Sequence, residues 1–222
     1  MKYSLLKGNS NVMEENKFFN MRKLPEPGEV LGENGEVLLR AISEEQKDLI
    51  LSVSYDCSFL KHEFENETYR KYLWEEFMNK NVANYSIFSK KTGEFVGYCG
   101  IKNLTKDVPE LAIELLKKCR KQGYGYQALS LLMDRFAEIT GKTVFRSRVE
   151  VDNYASQALH RKLGAIPNGI SEFLLHGEDV IRFQNENRNT IDENIRKLAA
   201  EFEVEPIELL GHVLEYWIEW GE

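Results

Sequence analysis

Along the 222-residue chain the apolar positions change period several times, and each change marks a predicted element. From Glu36, "EVLLRAI" reads as a strand. Ser43-Glu44-Glu45-Gln46 then has the form of a capping box, in which the first and fourth side chains satisfy backbone N–H groups, and predicts a helix running toward Ser54. Tyr69, Tyr72, Leu73, Glu76 and Phe77 keep near-helical spacing and predict a second helix across "ENETYRKYLWEEFMNK". "NYSIFSKKTGEFVGYCGIKNL" places β-rich runs on both sides of Lys91-Thr92-Gly93-Glu94, the pattern of an antiparallel hairpin. In the strand that follows, "ELAIELL", period two sets Leu111, Ile113 and Leu115 on one face and Glu110, Ala112 and Glu114 on the other.

Beyond a glycine-containing loop, Leu129, Leu132, Met133, Phe136 and Ile139 recur at three and four, predicting an amphipathic helix that ends at Gly141. "TVFRSRVEV" is the next strand, with Arg146, Arg148 and Glu150 on one face and Phe145, Ser147 and Val149 on the other. Asn153 caps a shorter helix, "YASQALHRKL", closed by Gly164, and a last β region is expected across "EFLLHGEDVIRFQ". Residues 185–222 then read as an appended helical hairpin. A capping box at Thr190–Glu193 opens its first helix through Ile195, Leu198, Ala199 and Phe202, and Pro206 opens its second through Leu210, Leu214, Trp217 and Ile218. Its apolar stripe needs a partner surface, either the chain's own core or a second copy in a homodimer. Residues 1–35 are turn-rich and read as an arm, which leaves 36–184 as the main domain.

Composition narrows the function classes. Hydrophobic residues at 42% and charged residues at 29% describe a globular chain. A net charge of -7 gives no overall attraction to nucleic acid or to an anionic membrane, so an anion site must be local. No window approaches a membrane span, the N-terminus lacks a signal peptide's apolar core, and Cys57, Cys99 and Cys119 have neither disulfide nor zinc spacing. A cytoplasmic protein without a metal is expected.

The loop "RKQGYGYQAL" carries the candidate chemistry. Its spaced glycines satisfy a loose dinucleotide pattern, but six residues separate Leu116 from Gly123 and antiparallel elements come first, whereas a dinucleotide fold opens with strand and glycines together. A triphosphate loop is excluded because no Gly-Lys-Ser/Thr follows. What is left is strand, basic loop, Gly-x-Gly and helix, an arrangement whose backbone N–H groups point at an anion.

In these residues, and in "VDNYASQALHRKLGA" downstream, the chain resembles the GNAT N-acetyltransferase superfamily, most of all the branch that includes ribosomal-protein N-terminal acetyltransferases. The resemblance covers roughly residues 36–184. It implies a mixed α/β (α+β) fold with a central, mostly antiparallel sheet, two splayed parallel strands and flanking helices. It also implies acetyl-CoA as co-substrate and a peptide or small-molecule amine as acceptor. On that resemblance Ile113 and Leu115 supply backbone contacts to the thioester and pantetheine, and Gln122, Gly123, Tyr124 and Gly125 offer N–H groups to the diphosphate beside Arg120 and Lys121. Asn153 and Ser156 lie near the pantetheine arm, Glu110 or Glu114 serves as general base, and His160 stands where the family often has a tyrosine acid, with Tyr154 and water as alternatives. Arg146 and Arg148 either line an acceptor groove or pair with Glu110 or Glu114. A catalytically silent acyl-CoA-binding protein is the alternative function.

Overall fold

The computed structural model describes residues 24–58 and 60–221. Most of the expected N-terminal arm lies outside the described residues. Within its remainder, Val30–Glu33 form a strand (β1) antiparallel to Val37–Ala41 (β2), so the boundary expected at residue 36 falls inside a hairpin. After a short 3-10 turn follow helices α1 (Lys47–Cys57) and α2 (Glu67–Phe77), then strands β3 (Val82–Ser89), β4 (Phe95–Lys102) and β5 (Glu110–Leu115). Helix α3 (Tyr124–Thr140) leads to β6 (Val144–Glu150), α4 (Tyr154–Lys162) and β7 (Ile166–Glu172). The chain closes with α5 (Glu178–Glu186), α6 (Glu193–Glu201) and β8 (His212–Glu219). All eight strands form one sheet in the order β1-β2-β3-β4-β5-β6-β8-β7, mostly antiparallel, with β5 and β6 parallel.

Residues directly opposite in an antiparallel pair share a face of the sheet. The pairs Tyr98↔Glu114 and Cys99↔Ile113 therefore define the two sides of β4 and β5. On the first side, Ile50 and Val53 of α1 and Trp74 of α2 pack with Tyr98 in a small buried cluster. On the second, Leu129, Leu132, Met133 and Phe136 of α3 are buried with Cys99, Ile101, Leu111 and Phe145 in the main core. The apolar stripe read from three-and-four spacing is that buried stripe, and Gly141, with φ of 74°, ends the helix in the left-handed conformation that glycine adopts without strain.

Strands β5 and β6 separate almost at once. Strand β5 keeps register with β4 from Lys102↔Glu110 to Gly97↔Leu115, but with β6 it registers at Glu110↔Arg146, where the Arg146 N–H donates to the Pro109 carbonyl at 2.9 Å. From that vertex the two strands diverge and leave a gap in the middle of the sheet.

The C-terminal half departs from the sequence expectation. The predicted β region over "EFLLHGEDVIRFQ" is displaced: β7 lies earlier and ends at Glu172, and residues 178–186 are helix α5. The first C-terminal helix is present as α6, capped by the Asp192 side chain, which accepts from the Ile195 N–H at 2.8 Å. The second helix of the hairpin is instead β8, inserted between β6 and β7, so residues 185–222 complete the sheet. "HVLEYWIE" fits both periods, and the edges of β6 and β7 select the extended one by pairing its backbone on both sides. Leu198, Ala199, Phe202 and Leu214 are buried with Val149 and Tyr216 in a second core. The stripe's partner surface is thus the chain itself, and the expected homodimer through these helices loses its basis.

Candidate active site

The chain leaves β5 through a 3-10 turn at Lys117–Cys119 and enters α3 with no side chain capping its first turn. Gly123 has φ of 89°, and space is open where its β-carbon would be. Lys121 also takes a left-handed φ of 61°, a conformation an L-residue adopts at a cost. Gly125 is needed for a different reason: a β-carbon there would press on Leu159 at 3.1 Å and touch Ile113 and Leu115, so glycine lets α3 start close against β5 and α4. The first-turn N–H groups have no intrahelical acceptor and carry the positive end of the helix dipole. An uncapped, glycine-opened helix start therefore faces the splayed strands.

The gap and this helix start belong to one cleft of about 1040 Å³. Ile113, Leu115, Lys121, Gly123 and Gly125 line it on the α3 side of the sheet, and Asn153, Ser156 and His160 of α4 line it from across the gap. Asp56 and Cys57 at the end of α1, together with Tyr98, Glu110, Glu114, Arg148, Glu150 and Phe173, line its opposite mouth. A ligand anchored at the start of α3 can reach through the gap to a group approaching on the α1 side.

The predicted carboxylates separate by partner. Glu110 is 4% exposed and accepts from Arg146 Nη2 at 2.7 Å and from Arg148 Nε and Nη2 at 3.1 Å each. Burial pushes its carboxyl up, but the two guanidinium groups outweigh that and hold it below the ordinary value. Both arginines thus pair with Glu110, and Arg148 also lines the cleft. Glu114 carries an Oε2 that is buried and has no hydrogen-bond partner among the described residues. Glu150, at the end of β6, is a cleft carboxylate that sequence reasoning did not single out. Burial, then Asp152 and Glu114, raise its pKa. Its only sequence signal was a place on the Arg146 and Arg148 face.

The remaining expected residues are also placed. The Asn153 side chain caps α4 by accepting from the Ser156 N–H at 3.1 Å. His160 is buried, its Nδ1 lies 2.7 Å from the Ser156 carbonyl and 3.4 Å from the Ser156 hydroxyl, and its ring stacks on Tyr216 at 5.5 Å. A carbonyl only accepts, so Nδ1 carries the proton; burial lowers the pKa, and the neutral ring presents a bare Nε2. Such a ring has no proton to donate into the cleft. Tyr154 is 59% exposed and is absent from the cleft wall, whereas Tyr124 donates its hydroxyl to Ser89 at 3.1 Å. Gln122 turns its side chain back to the Lys118 carbonyl at 2.6 Å. Arg120 lines the cleft with Lys121 and Gly123, and its guanidinium donates to the Leu115 carbonyl at 3.0 Å and to Cys57 Sγ at 3.1 Å. Cys57 and Phe173 gave no sequence signal, because both arrive from distant elements. Among the described residues no group of three or more His, Cys, Asp or Glu could hold a metal ion, and no helix is long and apolar enough to cross a membrane.

Comparison with known proteins agrees with this geometry. RimL, a ribosomal-protein alpha-N-acetyltransferase solved in complex with coenzyme A, superposes with a TM-score of 0.59 at 18% identity, over 86% of this chain and 98% of that one. The spermidine N-acetyltransferase of Vibrio cholerae, solved with CoA and spermine, superposes with a TM-score of 0.56 at 13% identity, over 83% of this chain and 96% of that one. No curated protein matches the chain by sequence. The model of the acetyltransferase (GNAT) domain matches residues 36–166, more than half of the chain and the whole span from β2 through the splayed strands to α4. The chain therefore belongs to the GNAT acetyltransferase family.

Proposed function

We propose that acetyl-CoA lies with its diphosphate on the N–H groups of Gln122, Gly123, Tyr124 and Gly125, with Lys121 beside it, and threads its pantetheine through the gap along Ile113 and Leu115. The observation that carries this reading is the gap itself, opening beside the uncapped start of α3. Two independent features, an anion-binding helix end and unpaired strand backbone, meet in one cleft and fit the two chemically different parts of one ligand.

The acceptor amine then approaches from the α1 side, where Asp56, Glu114, Glu150 and Asp152 stand beside Arg148, whose charge Glu110 takes up, and offer carboxyl groups to a cation. An ammonium has no lone pair, so a base must take its proton before the nitrogen attacks the thioester carbonyl. Glu150 suits that task best, because its environment raises its affinity for a proton, whereas Glu110 is held by two arginines. Burial first, then Asp152 and Glu114, help Glu150 hold the proton it takes. As the C–N bond forms and the C–S bond breaks, the second proton of the amine nitrogen passes through water to the thiolate of CoA, beside Ser156, whose N–H is held by the cap of Asn153 at the first turn of α4. No covalent enzyme intermediate is needed. Cys99 is fully buried, and burial and Glu114 push the Cys57 thiol up to about 11.

Peptide α-amines and polyamines are the acceptor classes to examine first, since structurally similar enzymes act on a ribosomal protein and on spermidine. Three free thiols fit a reducing compartment such as the cytoplasm. Release of free CoA thiol from acetyl-CoA in the presence of an α-amine peptide and polyamine panel tests the reading. Amine-dependent release supports it, and CoA binding without turnover of any panel member favours the silent binder instead.

A further inference from the structure

On its α1 side the cleft is sorted by charge. Arg146, Arg148 and Glu150 share a face of β6, each two-residue step covering about 7 Å, with Arg146 at the vertex and Glu150 at the open end. Glu114, four residues beyond the vertex on β5, and Asp152 join Glu150 on the cleft wall, whereas Lys102, the register partner of Glu110, lines it at the vertex. Arg146 and Arg148 pair with Glu110, and Arg146 also stands 4.0 Å from Glu215. Two carboxylates thus answer two arginines, and Lys102 is left without an ion pair among the described residues.

Glu110 takes up the charge of Arg148 but not all of its donors. Nε and Nη2 both donate to Glu110 Oε1 at 3.1 Å, and the Phe173 ring lies against the guanidinium at 5.3 Å. The group is planar, so these contacts fix the whole fork and turn Nη1, which has no partner among the described residues, away from Glu110. The side chain is 30% exposed and lines the cleft. A guanidinium held in this way meets an anion without first being ordered, so little binding energy is lost to immobilising it.

We propose that Arg148, seated by Glu110 and Phe173 and assisted by Lys102, receives a carboxylate of the acceptor, so that the enzyme favours an amine with a carboxylate about 7 Å from the reacting nitrogen over a polyamine. The proposal rests on the reading above, in which the amine meets Glu150 on the α1 side. With the nitrogen at Glu150, one two-residue step along β6 leads to Arg148. An α-amine peptide with an acidic second residue spans that step, and so does a free ω-amino acid such as aminocaproate. A polyamine brings a second ammonium instead, and an ammonium and a guanidinium can only donate.

The test measures kcat/KM for two peptides that differ only at the second residue, one beginning Ser-Asp and one Ser-Asn, beside spermidine and aminocaproate, with acetyl-CoA as donor. The wild type is expected to favour Ser-Asp over Ser-Asn about tenfold, the low end for a hydrogen bond between charged groups, and to favour Ser-Asp over spermidine. Arg148→Met removes the fork and should bring the peptide ratio to within about twofold, which the loss of one charge-assisted hydrogen bond implies. A merely structural role would lower both peptides alike and leave their ratio. Lys102→Met, at an exposed position outside the ion pairs, should reduce the ratio about threefold, as for an exposed charge, and carries the test should Arg148→Met not fold. Turnover of aminocaproate at least as good as that of Ser-Asp makes a small amino acid the acceptor, and turnover of the peptide alone makes it a protein N-terminus; both uphold the carboxylate. Equal turnover of the two peptides by the wild type, a preference for spermidine, or an unchanged ratio in the folded variants overturns the proposal and leaves the acetyltransferase reading standing. Absence of amine-dependent CoA release with every acceptor overturns that reading, and the proposal with it.

Discussion

Replacing Glu110 by glutamine separates a clamp from a base. The carboxylate sits at the vertex of the gap, opposite Arg146 in the register pair that joins β5 to β6, and accepts three hydrogen bonds from two guanidinium groups. A glutamine offers one oxygen and turns an NH2 toward groups that can only donate. Breaking a buried ion pair by removing one partner costs about 3–5 kcal/mol, and the arginine side chains are 26% and 30% exposed, so the low end, about 3 kcal/mol, applies. For a chain of this length that corresponds to a fall in Tm of about 6–12 °C. Turnover at a temperature where the variant is folded should fall less than about tenfold, short of the roughly 10²–10⁴-fold that a general base supplies. Because the native carboxyl is held below its ordinary value of 4.5, its contribution to stability is complete above the unfolded value and is lost as pH falls through the lower native one. Glu110→Gln should therefore flatten the acid limb of the stability curve. Thermal unfolding across pH 3 to 7 beside steady-state transfer decides the matter, both pH limits being about the range over which carboxylates titrate. A variant with wild-type Tm and a turnover loss of a hundredfold, about the minimum for a lost base, would refute the reasoning.

Four further outcomes follow from the same structure. Gly123→Val should weaken acetyl-CoA binding at least about tenfold, because the side chain fills open space at the helix start and strains a φ of 89°, while the circular dichroism of the fold is retained. Glu150→Gln should lower turnover about 10²–10⁴-fold and abolish the rise of kcat/KM with pH on its acid side, since the raised carboxyl must lose its proton to act; an unchanged pH profile would exclude it as the base. His160 is buried neutral with a lowered pKa, so native stability should decline as pH drops below the unfolded value of 6.5, and His160→Gln, followed by denaturant titration, should reduce that decline. Deleting residues 206–222 should leave no cooperatively folded protein, because β8 lies between β6 and β7; a stable truncated sheet, seen by calorimetry, would show the segment to be dispensable.

The sequence disclosed those elements whose periods exclude an alternative. Helix α3 has a stripe that no strand could bury, and "ELAIELL" alternates too regularly to be helical, so both stand where expected. The uncapped, glycine-opened start of α3 was legible because its parts are local: loop, glycines and helix start are contiguous. By contrast, β8 carries apolar residues that satisfy two periods, and only the open edges of strands forty or more residues earlier select one of them. The candidate bases show the same limit. Glu110 and Glu114 share a face and a strand, and what separates them is which arginines lie opposite, a fact of the β5–β6 register. Arg120 matched its motif by spacing, while the direction of its side chain is set by a turn and by a cysteine 63 positions away.

A crystal structure of the protein with acetyl-CoA tests the central claim most directly. The account predicts the diphosphate on the N–H groups of residues 122–125, the pantetheine in the gap between β5 and β6, and the acetyl carbon facing Glu150 on the α1 side. A cofactor bound elsewhere, for instance in the separate hollow lined by Asn34, Arg135 and Trp220, with the gap left empty, would contradict it.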